Sequence, residues 1–520
     1  MNGAQALIRT LVDSGVDVCF TNPGTSEMHF VAALDDVPEM RGILGLFEGV
    51  VTGAADGYAR IAERPAATLL HLGPGLGNGL ANLHNARRAR VPLINIVGDH
   101  ATYHKQYDAP LESDIDALAG TVSGWVHRST SPDDVATDAA RAVVAATEGP
   151  GRVATLILPA DVCWLESPGP VKPLEQLEPT QASAGVIADV ADALRSGKAC
   201  TLFVGGRVLR EDGLRAAQRI AAATGARLLC ETFPTRLERG AGLPPIDRLA
   251  YLAEFAQMQL EGTEHLVLVD TVEPVSFFAY PGKASVLAPE GATVHHVCAG
   301  DVDPIAALEA IADALGVDRE ADVPVAPAQR PDRPTGALTA ESLANAIAAV
   351  MPEDLILVDE SNTSGLFIAG ATAGCPRHDV LFLTGGAIGS GLPLATGAAV
   401  AAPDRPVLCV EADGSAMYTL QALWTQQREG LDVTTVICNN ASYAVLNMEL
   451  NRVGAEEIGP KAKSMLDLHG PELDFVAMAS GMGVPSSRAT TADELVEQLE
   501  RAFATPGPVL IEAMIPPLAI

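Results

Sequence analysis

Along the chain, short runs of apolar and often β-branched residues alternate with Ala-rich segments whose apolar positions recur at helical spacing. In the first third, VDVCFTNP, AATLLHLGPG, VPLINIVGD and VATLILPA predict strands, and FEGVVTGAADGYARIAE predicts a helix. Next come ACTLFVGGRV, ARLLCETFP and EHLVLVDTV, parted by helical stretches such as REDGLRAAQRIAAATG. Towards the end, DLILVDES, RPVLCVEADG, LDVTTVICNN and GPVLIEAMI repeat the scheme. Strands that are apolar throughout belong to parallel sheets covered by helices on both faces. The expectation is an α/β protein of doubly wound parallel-sheet domains, with ligands at the carboxyl ends of the strands.

Two Pro-rich polar stretches, ESPGPVKPLEQLEPTQAS (166–183) and DREADVPVAPAQRPDRPTG (318–336), read as extended linkers. They divide the chain into domains at 1–165, 184–317 and 337–520, in keeping with 520 residues and roughly 150 residues per domain. With 48% apolar and 19% charged residues, the composition is that of a soluble globular protein with large cores. The N-terminus shows no charged-then-apolar leader, and no run reaches the roughly 18 apolar residues of a membrane helix. Eight cysteines lie scattered without a CxxC pair, so buried free thiols in a reducing cytoplasm are expected. A net charge of −31 repels phosphate backbones and anionic lipid, which argues against nucleic-acid or membrane binding but not against anionic substrates. The polar segment NRVGAEEIGPKAKSMLDLHG (451–470) reads as a mobile loop over a site.

Chemistry concentrates in LCVEADGSAMYTLQALWTQQREGLDVTTVICNN, from Leu408 to Asn440. Here Asp413 ends one apolar run and Asn440 ends the next, 440 − 413 = 27 positions on, with the helix-like SAMYTLQALWTQQ between. Either feature alone reads as a turn. Together, on adjacent parallel strands, they would set a carboxylate and an amide oxygen side by side, a donor set that suits Mg²⁺. Gly414 and Ser415 would open a helix whose N-terminus favours an anion, so a metal–diphosphate site is suggested.

This D-G-S…N-N pattern resembles the thiamine-diphosphate motif of the 2-oxo acid decarboxylase and acetolactate-synthase superfamily. The resemblance implies pyrimidine-binding, middle and diphosphate-binding domains in that order. It also implies Mg²⁺ ligands at Asp413, Asn440 and the Ser442 carbonyl, although Ala412 stands where the family usually has Gly. In GLFEGVVTGAADGYAR, Glu48 lies among apolar and small residues, where a carboxylate could share a proton with a ring nitrogen. By resemblance it bonds the cofactor's aminopyrimidine and promotes the tautomer that activates the thiazolium; a first-turn helix acid is the alternative. CFTNPGTSEMHF and the glycine-rich loop from His71 to Asn78 resemble benzoylformate decarboxylase and its acetolactate-synthase-like relatives. That likeness gives Thr25 to the substrate carboxylate, His71 to proton transfer and Asn78 to the cofactor. It further assigns Gly386 a carbonyl contact to the cofactor, Ile388 the wedge that bends it, Asn362 and Thr363 the diphosphate turn, and Leu446 the substrate pocket. The glycines at 73, 75, 77 and 79 hold no GxGxxG.

Two departures narrow the substrate. Phe278 replaces the second active-site His of benzoylformate decarboxylase, and Glu449 replaces an aromatic pocket residue, which disfavours aromatic 2-oxo acids. The chain ends soon after its last strand, so the lid of acetolactate synthases is not expected, and the middle block shows no clear FAD signature. The resemblance thus implies thiamine-diphosphate- and Mg²⁺-dependent decarboxylation of a small 2-oxo acid, ending in an aldehyde or an acyloin. It also implies a homodimer or homotetramer with sites shared between subunits. A FAD-linked oxidase of the same superfamily and a non-catalytic cofactor-binding partner subunit are the alternatives. A nicotinamide dehydrogenase is not favoured, because LFVGGRVLREDG lacks the dinucleotide fingerprint.

Overall fold

The computed structural model describes residues 1–298, 300–454 and 459–517. Strands β1 (Val18–Asn22), β2 (Arg41–Leu44), β3 (Ala66–Leu70), β4 (Leu93–Asp99), β5 (Trp125–Arg128) and β6 (Val153–Pro159) form a parallel sheet in the order β2-β1-β3-β4-β6-β5. Every side chain of β3, β4 and β6 is buried, as continuous apolar strands between helix layers require.

The second group is β7 (Cys200–Val204), β8 (Arg227–Cys230), β9 (Leu237–Arg239), β10 (Asp247–Arg248), β11 (His265–Val269) and β12 (Thr293–His296). All but β9 pair in parallel, in the order β10-β8-β7-β11-β12. The third group is β13 (Leu355–Glu360), β14 (His378–Phe382), β15 (Val407–Ala412), β16 (Val433–Asn439), β17 (Ser486–Ala489) and β18 (Val509–Met514). Its order is β17-β18-β16-β15-β13-β14-β9, with β9 running antiparallel to β14 at one edge. The expected α/β class of three doubly wound parallel sheets is therefore what the chain forms.

The apolar runs read from the sequence fall on β1, β3, β4, β6, β7, β8, β11, β13, β15, β16 and β18. Of the strands that were not read, all but β14 are sheet edges. An edge strand is half exposed and carries no continuous apolar run, as the intermediate burial of all of β5 shows.

Three local expectations need correction. The glycine-rich stretch after His71 is not a loop: Leu72–Ala89 is one helix, whose small residues let it lie tightly on its neighbours. SAMYTLQALWTQQ is not one helix either, because Asp413–Thr419 and Ala422–Glu429 are separate. In the proposed loop 451–470, residues 455–458 lie outside the described residues; on either side are the helices Ala444–Arg452 and Pro460–Ser464.

The first and third sheets meet through helices Glu48–Ala62 and Gly391–Ala401. A Cβ at Gly397 would stand 1.8 Å from the Ala54 carbonyl, and one at Gly57 would stand 2.1 Å from the Leu394 carbonyl, so glycines set this crossing. Arg60, fully buried, binds Asp56 at 2.7 Å and donates to the Phe382 carbonyl at 2.8 Å and the Thr235 carbonyl at 3.1 Å. Among the described residues no helix is long and apolar enough to cross a membrane. All eight cysteines are free, and all but Cys298 are buried.

Candidate active site

Strands β15 and β16 are parallel neighbours, with Ala412 opposite Cys438, so Asp413 and Asn440 emerge together at one carboxyl edge. Asp413 Oδ2 accepts the backbone N–H of Asn440 at 3.0 Å and of Ala441 at 2.7 Å, while Oδ1 accepts that of Gly414 at 2.7 Å. Burial raises the Asp413 carboxyl above its ordinary value, and these N–H groups pull the other way. Asn440 Oδ1 accepts the Ser442 N–H at 3.0 Å.

The twin asparagines divide their work by the two-residue period of a strand. Asn439 turns away, donating to Glu512 at 2.7 Å, and only Asn440 faces the corner. Asn362, at the end of β13 with φ +52°, donates to Ser415 Oγ at 3.1 Å, which brings the third turn to the same edge. Asn is among the few residues that tolerate this left-handed backbone. Thr363 follows it in the short helix Asn362–Gly365.

Among the described residues no cluster of three His, Cys, Asp or Glu side chains is placed to hold a metal ion. The expected set contains only one such group, Asp413, beside an amide oxygen and a carbonyl. That all-oxygen donor set fits a hard divalent cation completed by phosphate and water.

The turn carrying Gly386 and Ile388 is clamped from both sides. Beneath it, Glu360 accepts from Gly389 N–H at 2.7 Å, from Ser390 Oγ at 3.2 Å and from the Gly391 N–H. Glu411 lies opposite Glu360 in the β13–β15 register. Burial lifts Glu360 to about 7, and burial together with the charge of Glu360 lifts Glu411 well above a normal carboxyl, as two buried acids sharing a site must. On the other side, Asn85 of the first domain brackets Ala387, accepting its N–H at 3.2 Å and donating to its carbonyl at 2.8 Å. Asn82 donates to the carbonyls of Gly49 at 2.8 Å and Gly389 at 3.4 Å, tying the Glu48 helix to the same turn.

Glu48 is buried at the first position of its helix, and its Oε2 accepts from Asn78 at 3.0 Å. His71 directly follows β3, and its Nδ1 lies 2.8 Å from Glu27 Oε2 and 3.2 Å from Ser26 Oγ. Gly24 makes this approach possible, since a Cβ there would stand 2.2 Å from the imidazole. Leu72, buried with φ +49°, is the strained residue that turns the chain from His71 into the helix. Thr25 is exposed, and it is Ser26 and Glu27 that meet His71.

The family model described as "Thiamine pyrophosphate enzyme, N-terminal TPP binding domain" matches residues 1–119, and its C-terminal TPP-binding counterpart matches residues 370–513. The chain belongs to the thiamine-pyrophosphate-dependent enzymes. Over 521 residues it is 61% identical to a Mycobacterium tuberculosis (strain H37Rv) protein named provisionally as acetolactate synthase large subunit IlvX, with 100% of each chain covered. It is 30% identical to the benzoylformate decarboxylase of Pseudomonas aeruginosa, covering 96% of each. In fold it matches the thiamine-diphosphate-dependent 4-hydroxybenzoylformate decarboxylase of Rhodococcus jostii RHA1, with a TM-score of 0.85, 24% identity and 99% of each chain covered.

In this member of the family, the two departures noted in the sequence lie together. Phe278, Tyr280, Glu449 and Arg452 line one cleft, with the Phe278 ring largely exposed. The Tyr280 hydroxyl donates to Glu449, and the Arg452 guanidinium stacks 4.8 Å over the Tyr280 ring while binding Glu254 at 3.1 Å. Leu446, one turn before Glu449, is partly exposed.

Sequence reasoning missed Glu27, Asn82, Asn85 and the Glu360–Glu411 pair. Glu411 carried a readable signal, an acid inside the otherwise apolar run VLCVEA. Glu27 carried none, because its partner His71 is 44 positions away.

Proposed function

We propose that the chain is a thiamine-diphosphate- and Mg²⁺-dependent enzyme that decarboxylates a small aliphatic 2-oxo acid. The product is an aldehyde, or an acyloin when a second carbonyl is present. The observation carrying this reading is the corner where Asp413, Asn440, Asn362 and Ser415 converge at the carboxyl edge of β13, β15 and β16.

In this reading Asp413, Asn440 and the Ser442 carbonyl hold Mg²⁺, and Asn362, Thr363, Gly414 and Ser415 hold the diphosphate. Bound thiamine diphosphate supplies the nucleophilic carbon and the electron sink that release CO₂. The turn bearing Gly386 and Ile388, held by Glu360 and Asn85, would support the cofactor from the protein side. Glu48, kept from water and oriented by Asn78, is the carboxyl that would hold or release a proton towards a bound pyrimidine ring. His71, fixed by Glu27, moves protons at the substrate, and Thr25 and Leu446 border it. Phe278 and Glu449, the positions at which the sequence departs from benzoylformate decarboxylase, support the aliphatic substrate.

The site is completed by a second copy of the chain in a homodimer or homotetramer. The apolar side chains exposed at the diphosphate edge, Leu366, Phe367, Met417 and Tyr418, support this. Eight free thiols suit a reducing cytoplasm. Protein reconstituted with thiamine diphosphate and Mg²⁺ is to be given a panel of 2-oxo acids that includes pyruvate and benzoylformate. CO₂ release from short aliphatic acids, with the products analysed as aldehyde or acyloin, is expected; release from none of them, or from benzoylformate alone, overturns the reading.

A further inference from the structure

The sequence left FAD open as a further cofactor, and the middle sheet of this chain is the element on which a dinucleotide would sit. Such a ligand binds where the strand order reverses, with its phosphates on the N–H groups of the first strand–helix turn. In the order β10-β8-β7-β11-β12 the reversal lies between β7 and β11, and the turn is Gly205-Gly206-Arg207, leading to helix Glu211–Thr224.

Three N–H groups of this turn and helix start have carboxylates of the chain as acceptors, and the Gly205 N–H is taken by the Val269 carbonyl. Gly206 N–H donates to Glu231 at 3.3 Å, Arg207 N–H donates to Asp270 at 2.6 Å, and Glu211 N–H donates to Glu238 at 2.7 Å. Thr271 Oγ1 holds the other Glu231 oxygen at 3.3 Å. The fit is close, since a Cβ on Gly206 would stand 2.1 Å from Asp270 Oδ2. Burial lifts the Glu231 carboxyl to about 7, and it occupies its N–H whether ionised or not. The helix adds Glu211 and Asp212 to its own first turn, a further repulsion of phosphate.

These carboxylates also reach beyond the middle sheet. Arg90 of the first domain grips Asp270, with Nη1 2.9 Å from Oδ1 and Nη2 2.5 Å from the carbonyl. Glu238 belongs to β9, which is paired with β14 of the third sheet. The residues present do not fit a dinucleotide.

We infer that the middle-domain crevice is closed to FAD and related dinucleotides by Glu231, Asp270 and Glu238, and works as the joint that fixes the middle domain to its two neighbours. The chain supplies the anions that a ligand would otherwise bring. The consequence for the reaction class is that no flavin takes the electrons, so the FAD-linked oxidase is set aside.

The test uses the full chain loaded with thiamine diphosphate and Mg²⁺, incubated with excess FAD and then desalted. Its readout is flavin retention, independent of whether any 2-oxo acid is turned over. No flavin absorbance and an unchanged Tm are expected; one flavin retained per chain, or a Tm raised by FAD, overturns the closure. For the joint, Arg90→Ala and Asp270→Asn are each expected to lower Tm by a few degrees, with the double variant no worse than the poorer single one. Unchanged Tm values, or fully additive losses, overturn it.

Discussion

Within hydrogen-bonding reach, the side chains of the site form two small networks. One is Glu48 with Asn78; the other is His71 with Glu27 and Ser26. Positioned acid–base groups contribute about 10²–10⁴-fold to a rate. Glu48→Gln should therefore cut kcat by roughly 100-fold or more, while diphosphate affinity, read by quenching of protein fluorescence, stays within a few-fold. Equal turnover would remove Glu48 from the chemistry. Gly24→Ala tests the second arrangement, since its Cβ would strike the His71 ring. Steady-state assays should show kcat falling by about tenfold or more with cofactor binding intact; an unchanged kcat would mean that the position of His71 is unimportant.

At the scale of elements, the helix Ala444–Arg452 is pinned to the middle domain by Arg452, which binds Glu254 and Glu449 and covers Tyr280. Arg452→Ala should loosen this closure, raise KM for the favoured acid by several-fold and admit bulkier 2-oxo acids. A substrate panel checks this, and an unaltered preference would show that the closure does not select. A second element carries a pH signature. His378 begins β14, with Nδ1 2.7 Å from the Pro376 carbonyl and burial holding its pKa down to about 4. The folded chain thus keeps this imidazole neutral, while the unfolded chain protonates it from about 6.5 downward. Stability from this group is full above that value and is lost as pH falls towards 4, at roughly 1.4 kcal/mol per unit. Thermal unfolding across that window should show His378→Gln with a flatter pH dependence than the native chain.

The elements also show why the sequence was legible where it was. Interior strands such as β4 and β16 announce themselves because helices cover both faces, so burial is written into consecutive residues. The meeting of Asp413 and Asn440 was legible because they follow two such strands, which sit on neighbouring tracks. Edge strands, and the partners Glu27 and Asn85, were not, because what defines them is contact across long separations. The break between Thr419 and Ala422 inside an apparently continuous helical pattern belongs to the same class: local periodicity does not record the turn over which β15 hands the chain to its covering helix.

At the scale of the whole molecule, one buried guanidinium touches all three parts of the chain. Arg60 pairs with Asp56 in its own helix, with the Thr235 carbonyl between β8 and β9, and with the Phe382 carbonyl at the end of β14. Removing one partner of such a pair leaves an uncompensated charge, at about 3–5 kcal/mol. Arg60→Ala should show that loss in chemical denaturation, with Asp56→Asn no better; a loss under about 1 kcal/mol would mean the pair is dispensable. If the site is shared between copies, specific activity should also fall on dilution below the dimer dissociation constant. Constant activity down to a monomer, verified by light scattering, would overturn that arrangement.

The strand β9 has a bearing on how this chain can be engineered. It is only Leu237–Arg239, yet it caps the row of backbone groups that β14 would otherwise leave bare. The middle part of the chain is thus not a cassette that can be lifted out or traded for a relative's. Excising 184–317 would strip β14 and turn a finished sheet into a template for pairing with other molecules, so such a deletion should come out of the cell as aggregate. A graft that keeps Leu237–Arg239 in register with Val380–His378, and changes only what lies beyond it, is the exchange this architecture tolerates.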